Sequence, residues 1–200
     1  MLQEKGPEKQ TWFANDSQFD KLYPAYIQEI AATYWTPLAV AKAVAEFLAA
    51  EKNVSVLDIG SGVGKFCLVA AHEKPLAMFF GIEQRKDLVE IADNCKALLQ
   101  LSNVQFIHGN FTSLDLSKFD HFYFYNPFYE NLAGTKRIDD SVEYSISLFH
   151  YYNHFFFKIL EKKPAGTRVA TFHSLEEEMP PSYYVVNTQF DSLLKFWIKV

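Results

Sequence analysis

The chain holds eight glycines, and three of them, Gly60, Gly62 and Gly64, fall within five residues. That total is about half the usual glycine share, so the cluster marks a place where the backbone must turn tightly or approach something closely. It follows the apolar run Val54–Ile59, which reads as a buried strand, and precedes Lys65–Ala71, which reads as helix. A strand that runs through glycines into a helix puts a ligand site at the strand's carboxyl end. The spacing excludes two phosphate binders. A dinucleotide fingerprint needs its third glycine where Lys65 stands, and a Walker loop needs a hydroxyl where Phe66 stands. Asp58, two residues before Gly60, would repel a pyrophosphate and attract a cation or an amine.

The rest of the chain alternates. The spacing Phe19, Leu22, Tyr23, Tyr26, Ile27, Ile30 predicts two short helices or a kinked one, interrupted at Pro24. Thr36 is expected to cap a helix over 37–50, with Pro37 in its first position. Further strands are expected over 77–82, 104–108, 121–125 and 168–172, and helices over 86–101 and 141–161. Residues 183–189 and 193–200 read as a closing hairpin. The implied fold is α/β, a doubly wound, mostly parallel seven-stranded sheet with a C-terminal antiparallel hairpin. Residues 1–36 are expected to form a polar arm with short helices, and residues 37–200 the main domain.

Composition narrows the function. Nineteen Lys and Arg against 24 Asp and Glu give a net charge of −5, which disfavours a bulk phosphate binder. Two cysteines, Cys67 and Cys95, exclude a disulfide scaffold and a Cys-rich zinc site. The polar N-terminus is not a secretory signal, and no stretch reaches the roughly 18 apolar residues of a membrane span. The expectation is a soluble cytoplasmic protein with no membrane contact. His150 and His154 share a helix face, but Tyr151 stands where a zinc protease carries its Glu, so no metal is expected. Lys158, Lys162 and Lys163 complement a helix dipole. Phe155, Phe156 and Phe157 cover more than one helix face and raise a homodimer contact. Glu176–Glu178 reads as a solvated loop.

Three strand ends describe a ligand. Glu83 ends the second strand and suits two ribose hydroxyls. Asn110 follows the third and offers an amide to an adenine edge, with Phe111 to pack on the ring. Asp58 suits an amine. S-adenosylmethionine fits a ligand with an amine, a ribose, an adenine and no phosphate.

At this point VLDIGSGVGKF, GIEQ and HGNF resemble the first three motifs of class I S-adenosylmethionine-dependent methyltransferases. The resemblance runs from about Thr33 to the C-terminus. It implies cofactor contacts at Thr36, Asp58, Gly60, Ser61, Gly62, Gly64, Glu83, Gln84, Asn110, Phe111 and Asn126. Asn110 stands where many members carry Asp.

Tyr125-Asn126-Pro127-Phe128-Tyr129 resembles the Asn-Pro-Pro-aromatic motif of enzymes that methylate exocyclic amines or amides. This implies that Asn126, Pro127 and Phe128 position the acceptor, with Phe128 or Tyr129 as the stacking ring. Tyr34-Trp35-Thr36-Pro37 is similar to an element of adenine methyltransferases. The glycine segment is also locally similar to nucleosomal lysine methyltransferases. The acceptor is therefore a nitrogen of a protein, a nucleobase or a small-molecule amine. The alternative is a non-catalytic cofactor-binding or partner protein that keeps the fold.

Overall fold

The computed structural model describes residues 11–173 and 179–200. Seven strands, β1 (Ser55–Ile59), β2 (Met78–Glu83), β3 (Val104–His108), β4 (His121–Phe124), β5 (Arg168–Phe172), β6 (Tyr183–Gln189) and β7 (Leu194–Lys199), form one sheet in the order β3-β2-β1-β4-β5-β7-β6. The first five are parallel, and β7 inserts antiparallel between β5 and β6. The expected fold, terminal hairpin included, is thus the observed one. Strand order reverses between β1 and β4, so their carboxyl ends flank the crevice where open α/β sheets take ligands.

Alternation along the strands builds two cores. Val56, Phe79, Val104, Tyr123 and Phe196 face the helices α2 (Ala25–Tyr34), α3 (Leu38–Leu48), α4 (Lys65–Glu73) and α5 (Lys86–Leu99). Leu57, Ile82, Phe122, Phe124 and Trp197 face the opposite way, toward α6 (Ile146–Lys162) and the turns at Phe111 and Leu116. Phe19, Tyr23, Ile27 and Trp35 belong to the first of these cores, so residues ahead of α3 pack with the sheet domain.

Most boundaries lie within two residues of expectation, and the expected break at Pro24 separates α1 (Asp16–Phe19) and a 3-10 turn from α2. Two differences have local causes. Thr36 does not cap α3. Pro37 holds the cap position, Asp16 Oδ1 accepts from Leu38 N (2.9 Å), and the Thr36 hydroxyl lies 3.1 Å from the Tyr123 hydroxyl. The helix expected from residue 141 starts at Ile146, because Ser145 caps it by accepting from Leu148 N. Glu176–Glu178 lies outside the described residues.

Gly64 is the left-handed cap of α4 (φ 76°), and a Cβ there would sit 2.4 Å from Phe106 Cζ. Gly166 is also left-handed (φ 87°) but has nothing within 4 Å. Gly64→Ala should therefore lower the unfolding free energy by about 2–4 kcal/mol, from backbone strain plus overpacking. Gly166→Ala should cost about 1 kcal/mol, from backbone alone. Urea unfolding of both variants reads the difference.

Candidate functional site

The glycine loop closes on itself and on β2. Gly60 N and Ser61 N both donate to Ile82 O (2.9 and 3.0 Å), and Gly64 N donates to Ser61 O (2.8 Å). Gly60, Gly62 and Gly64 all have positive φ. A Cβ on Gly60 would meet Pro127 Cβ at 2.5 Å, and one on Gly62 would meet the Trp35 ring at 2.4 Å. The glycines were expected to admit a cofactor. Their Cβ directions point into protein, so packing already demands glycine at all three positions.

Glu83 ends β2 inside this loop and is 5% exposed. Its Oε2 accepts from Gly62 N (3.1 Å), and its Oε1 accepts from Arg85 N (2.9 Å) and from the Arg85 guanidinium (3.4 Å). Gly109 N donates to the Glu83 carbonyl (2.8 Å). Gly109 lines the same cleft, and nothing lies within 4 Å of a Cβ built there. That open wall beside a strand-end carboxylate fits the nucleoside half of S-adenosylmethionine.

Asn110, between the cleft residues Gly109 and Phe111, has its amide fully engaged. Its Oδ1 accepts from Thr112 N and Oγ1 (3.0 and 2.9 Å), and its Nδ2 donates to Gln84 Oε1 and Tyr152 Oη (3.2 and 2.7 Å). An adenine contact through this side chain would displace one of those bonds. Phe111 is buried, stacked with Phe128 (centroids 5.2 Å apart) and in edge contact with Tyr152.

A second cleft adjoins the first at Gly60 and is lined by Thr36, Asp58, Ser61 and Lys65. Asp58 is 4% exposed and accepts from Cys67 Sγ at 3.7 Å. Burial first, and then the Glu83 charge, push its carboxyl up to about 8, against the pull of the Cys67 bond. The Ser61 hydroxyl is buried without a hydrogen-bond partner. Cys67 and Cys95 are buried free thiols, as expected.

The third cleft shares Tyr34 and Tyr125 with the second and adds Thr33, Asn126, Tyr129 and His173. Asn126 (φ 37°) follows β4, and His173 (φ 58°) follows the neighbouring β5; both are left-handed non-glycine residues. The structure separates the two candidate stacking rings. Phe128 is 5% exposed, packed on Phe111 and Phe124 in the core on the α6 side of the sheet (the lower core), whereas Tyr129 is 49% exposed in this cleft. Pro127 lies against Gly60. The loop that follows is held without the Asn126 amide: Tyr129 N donates to the Asn126 carbonyl (3.1 Å), and Thr135 Oγ1 donates to Leu132 O (2.8 Å).

Sequence reading missed Arg85. Its guanidinium bonds Glu83, Glu130, Asp139 (3.2 Å) and the Tyr144 hydroxyl (2.6 Å) at 7% exposure. Three of its four partners lie 45, 54 and 59 positions away on the loop after β4, so no local spacing announces them. The only signal was one arginine directly after a strand-end motif. Among the described residues no group of three or more His, Cys, Asp or Glu forms a metal site, and no helix is long and apolar enough to cross a membrane.

Comparison with known proteins bears on this geometry. Residues 50–138 match a family described as a methyltransferase domain. The chain is 33% identical over 119 residues to the release factor glutamine methyltransferase of Buchnera aphidicola, covering 57% of this chain and 41% of that protein. It is 48% identical over 54 residues to a tRNA (guanine-N(7)-)-methyltransferase of Synechococcus, covering 27% of this chain and 23% of that protein. The chain thus spans less than half the length of these curated relatives. A solved RNA methyltransferase of Salinibacter ruber, in complex with S-adenosyl-L-homocysteine, superposes with a TM-score of 0.58 at 20% identity, covering 82% of this chain and 92% of that one. Residues 50–138 thus resemble a methyltransferase domain, and the superposition shows that the strand order and glycine loop belong to the fold of that solved methyltransferase.

Proposed function

We propose that this chain transfers a methyl group to a neutral, planar nitrogen, an amide or an exocyclic amine. The observation that carries the reading is the succession of three adjoining clefts, open at Gly109 and Glu83 on one side and at Asn126 and Tyr129 on the other. The cofactor supplies a methyl group already activated on a sulfonium, so what the protein contributes is alignment. Glu83 holds the ribose hydroxyls with its remaining acceptor capacity, while two backbone N–H groups fix its carboxylate. Asp58, with Thr36 and Ser61 beside it, receives the amino-acid end. Gly109 and the rim at Gln84 and Asn110 border the base.

Asn126 accepts from the target nitrogen and turns its lone pair toward the methyl group. Tyr129 takes the stacking role that the motif gave to either of two rings, because Phe128 is buried. Among the described residues no Lys or Arg lines the third cleft, which suits an uncharged acceptor edge.

Glu83→Gln should weaken S-adenosylhomocysteine binding by about 1–3 kcal/mol, the scale of a charge-assisted hydrogen bond, read by titration calorimetry. Unchanged affinity would move the ribose elsewhere.

For Asp58, the folded carboxyl keeps its proton up to about 8, whereas an ordinary one loses it near 3.8. Its contribution to stability therefore falls as pH rises from about 4 to about 8. Asp58→Asn should abolish that fall, gaining on the wild type in urea midpoint between pH 5 and pH 8. Binding runs the other way. An ionised Asp58 favours the ligand's ammonium, so wild-type affinity should strengthen from pH 6 to pH 8 and the variant's should stay flat.

Turnover tests the acceptor. Methyl-labelled cofactor incubated with cell extract should label a macromolecular fraction, and digestion with ribonuclease or with protease tells RNA from protein. Asn126→Ala should lower that incorporation on the order of 10²-fold while leaving S-adenosylhomocysteine affinity near wild type. Binding of the cofactor with no incorporation into any fraction would favour the non-catalytic alternative.

A further inference from the structure

Arg85 is the most heavily engaged side chain at the site, and no step above uses it. One arm reaches Glu83, the carboxylate assigned to the ribose. The others reach Glu130, Asp139 and Tyr144, all on the segment between β4 and α6. That segment is organised around these contacts. Glu130 Oε1 accepts from Ile138 N (2.7 Å), the Tyr144 hydroxyl donates to the Asp139 carbonyl (2.7 Å), and Ser145 N donates to Asn131 Oδ1 (3.2 Å). Glu130 and Tyr144 line the Glu83 cleft from outside. The same segment begins directly after Asn126, at the acceptor cleft.

We propose that Arg85 is a positioning residue that straps the 129–145 segment over the cofactor cleft, so that cofactor occupancy and the shape of the acceptor side are coupled through its bonds to Glu83 on one hand and to Glu130, Asp139 and Tyr144 on the other. The proposal rests on the cofactor reading above. A planar fork with five donors suits a strap, because it bonds partners on several sides at once, which a lysine ammonium does less well. Three carboxylates around one guanidinium also explain why the arm stays in place while largely desolvated. Truncating it would leave those carboxylates facing one another. The consequence is directional. A ligand that bonds Glu83 from inside orders the carboxylate that Arg85 grips, and the loop outside gains from it.

Lys136 and Arg137 offer a readout, since both are exposed on the strap and each is a trypsin site. The Arg137 guanidinium lies 4.3 Å from the Tyr144 ring centroid, so its accessibility reports the strap directly. Wild type, Arg85→Met and Tyr144→Phe are to be digested with trypsin, with and without saturating S-adenosylhomocysteine. Affinity and melting temperature are measured on the same samples. Tyr144→Phe deletes one hydroxyl without stranding a charge, and carries the test should Arg85→Met fail to fold.

In wild type, ligand should slow cleavage after Lys136 and Arg137 at least 5-fold. In the variants, basal cleavage should be at least 5-fold faster and ligand protection less than 2-fold, although ligand still binds. A purely structural role would shift melting temperature and affinity but leave the protection ratio intact, and that result overturns the proposal. Wild type that binds the ligand and shows no protection overturns it too. Wild type that binds no S-adenosylhomocysteine at all would instead sink the cofactor reading, and the coupling with it.

Discussion

The Glu83 carboxylate is the joint on which the site depends. It is buried at the end of β2, and an unpaired buried carboxylate costs several kcal/mol. Two backbone N–H groups and a guanidinium meet that cost. One of the donors is Gly62, so the carboxylate proposed to meet the ribose also bonds the glycine loop. Another is Arg85, which carries the effect to the loop after β4. Neutralising Glu83 therefore affects loop shape and ligand contact together, and the two effects are separable only by comparing stability with affinity.

The turn after β4 is fixed just as strictly. Pro127 lies where any side chain on Gly60 would lie. Phe128 drives into the lower core between Phe111, Phe124 and Tyr152. With those two neighbours anchored, Asn126 is left at the strand end in a left-handed conformation, a cost of about 1–3 kcal/mol that the surrounding packing overrides. Phe128, where the resembling motif has a second proline, thus anchors the turn in the core and leaves Tyr129 exposed in the third cleft.

Much of this was legible in the residues because it is local. Strand limits at Val104–His108 and Arg168–Phe172 follow from apolar runs between breakers, and the glycine spacing alone rejected two phosphate-binding loops. What was illegible is long-range. Thr36 reads as a helix cap by type, but Tyr123, 87 positions on, takes its hydroxyl, and the α3 N-terminus is met by Asp16 from upstream. Asn110 reads as a ligand group by motif, yet Tyr152 of α6 and the local turn fill its amide. Arg85 meets acids that no periodicity links to it. Side chains whose partners arrive by tertiary packing give no pattern at short spacing.

Lys65 shows how the site's charge preference is built. It follows a glycine at the start of α4, where a helix N-terminus and an ammonium would together hold a phosphate. Instead the ammonium is 2.7 Å from Asp16 and 2.6 Å from Asp20, two carboxylates of the N-terminal helices. Asp16 also receives Leu38 N, so one carboxylate ties the arm, the loop lysine and the start of α3 together. The positive charge is thereby committed to holding the arm against the loop, and Asp58 lies in the same cleft. An anionic ligand entering there would find Lys65, the one cation lining that cleft among the described residues, already paired. The ammonium of the proposed ligand would instead offset the cost of ionising the buried Asp58 carboxyl. The N-terminal helices thus neutralise the lysine at the start of α4 through two ion pairs, which is the charge arrangement the proposed cationic ligand requires.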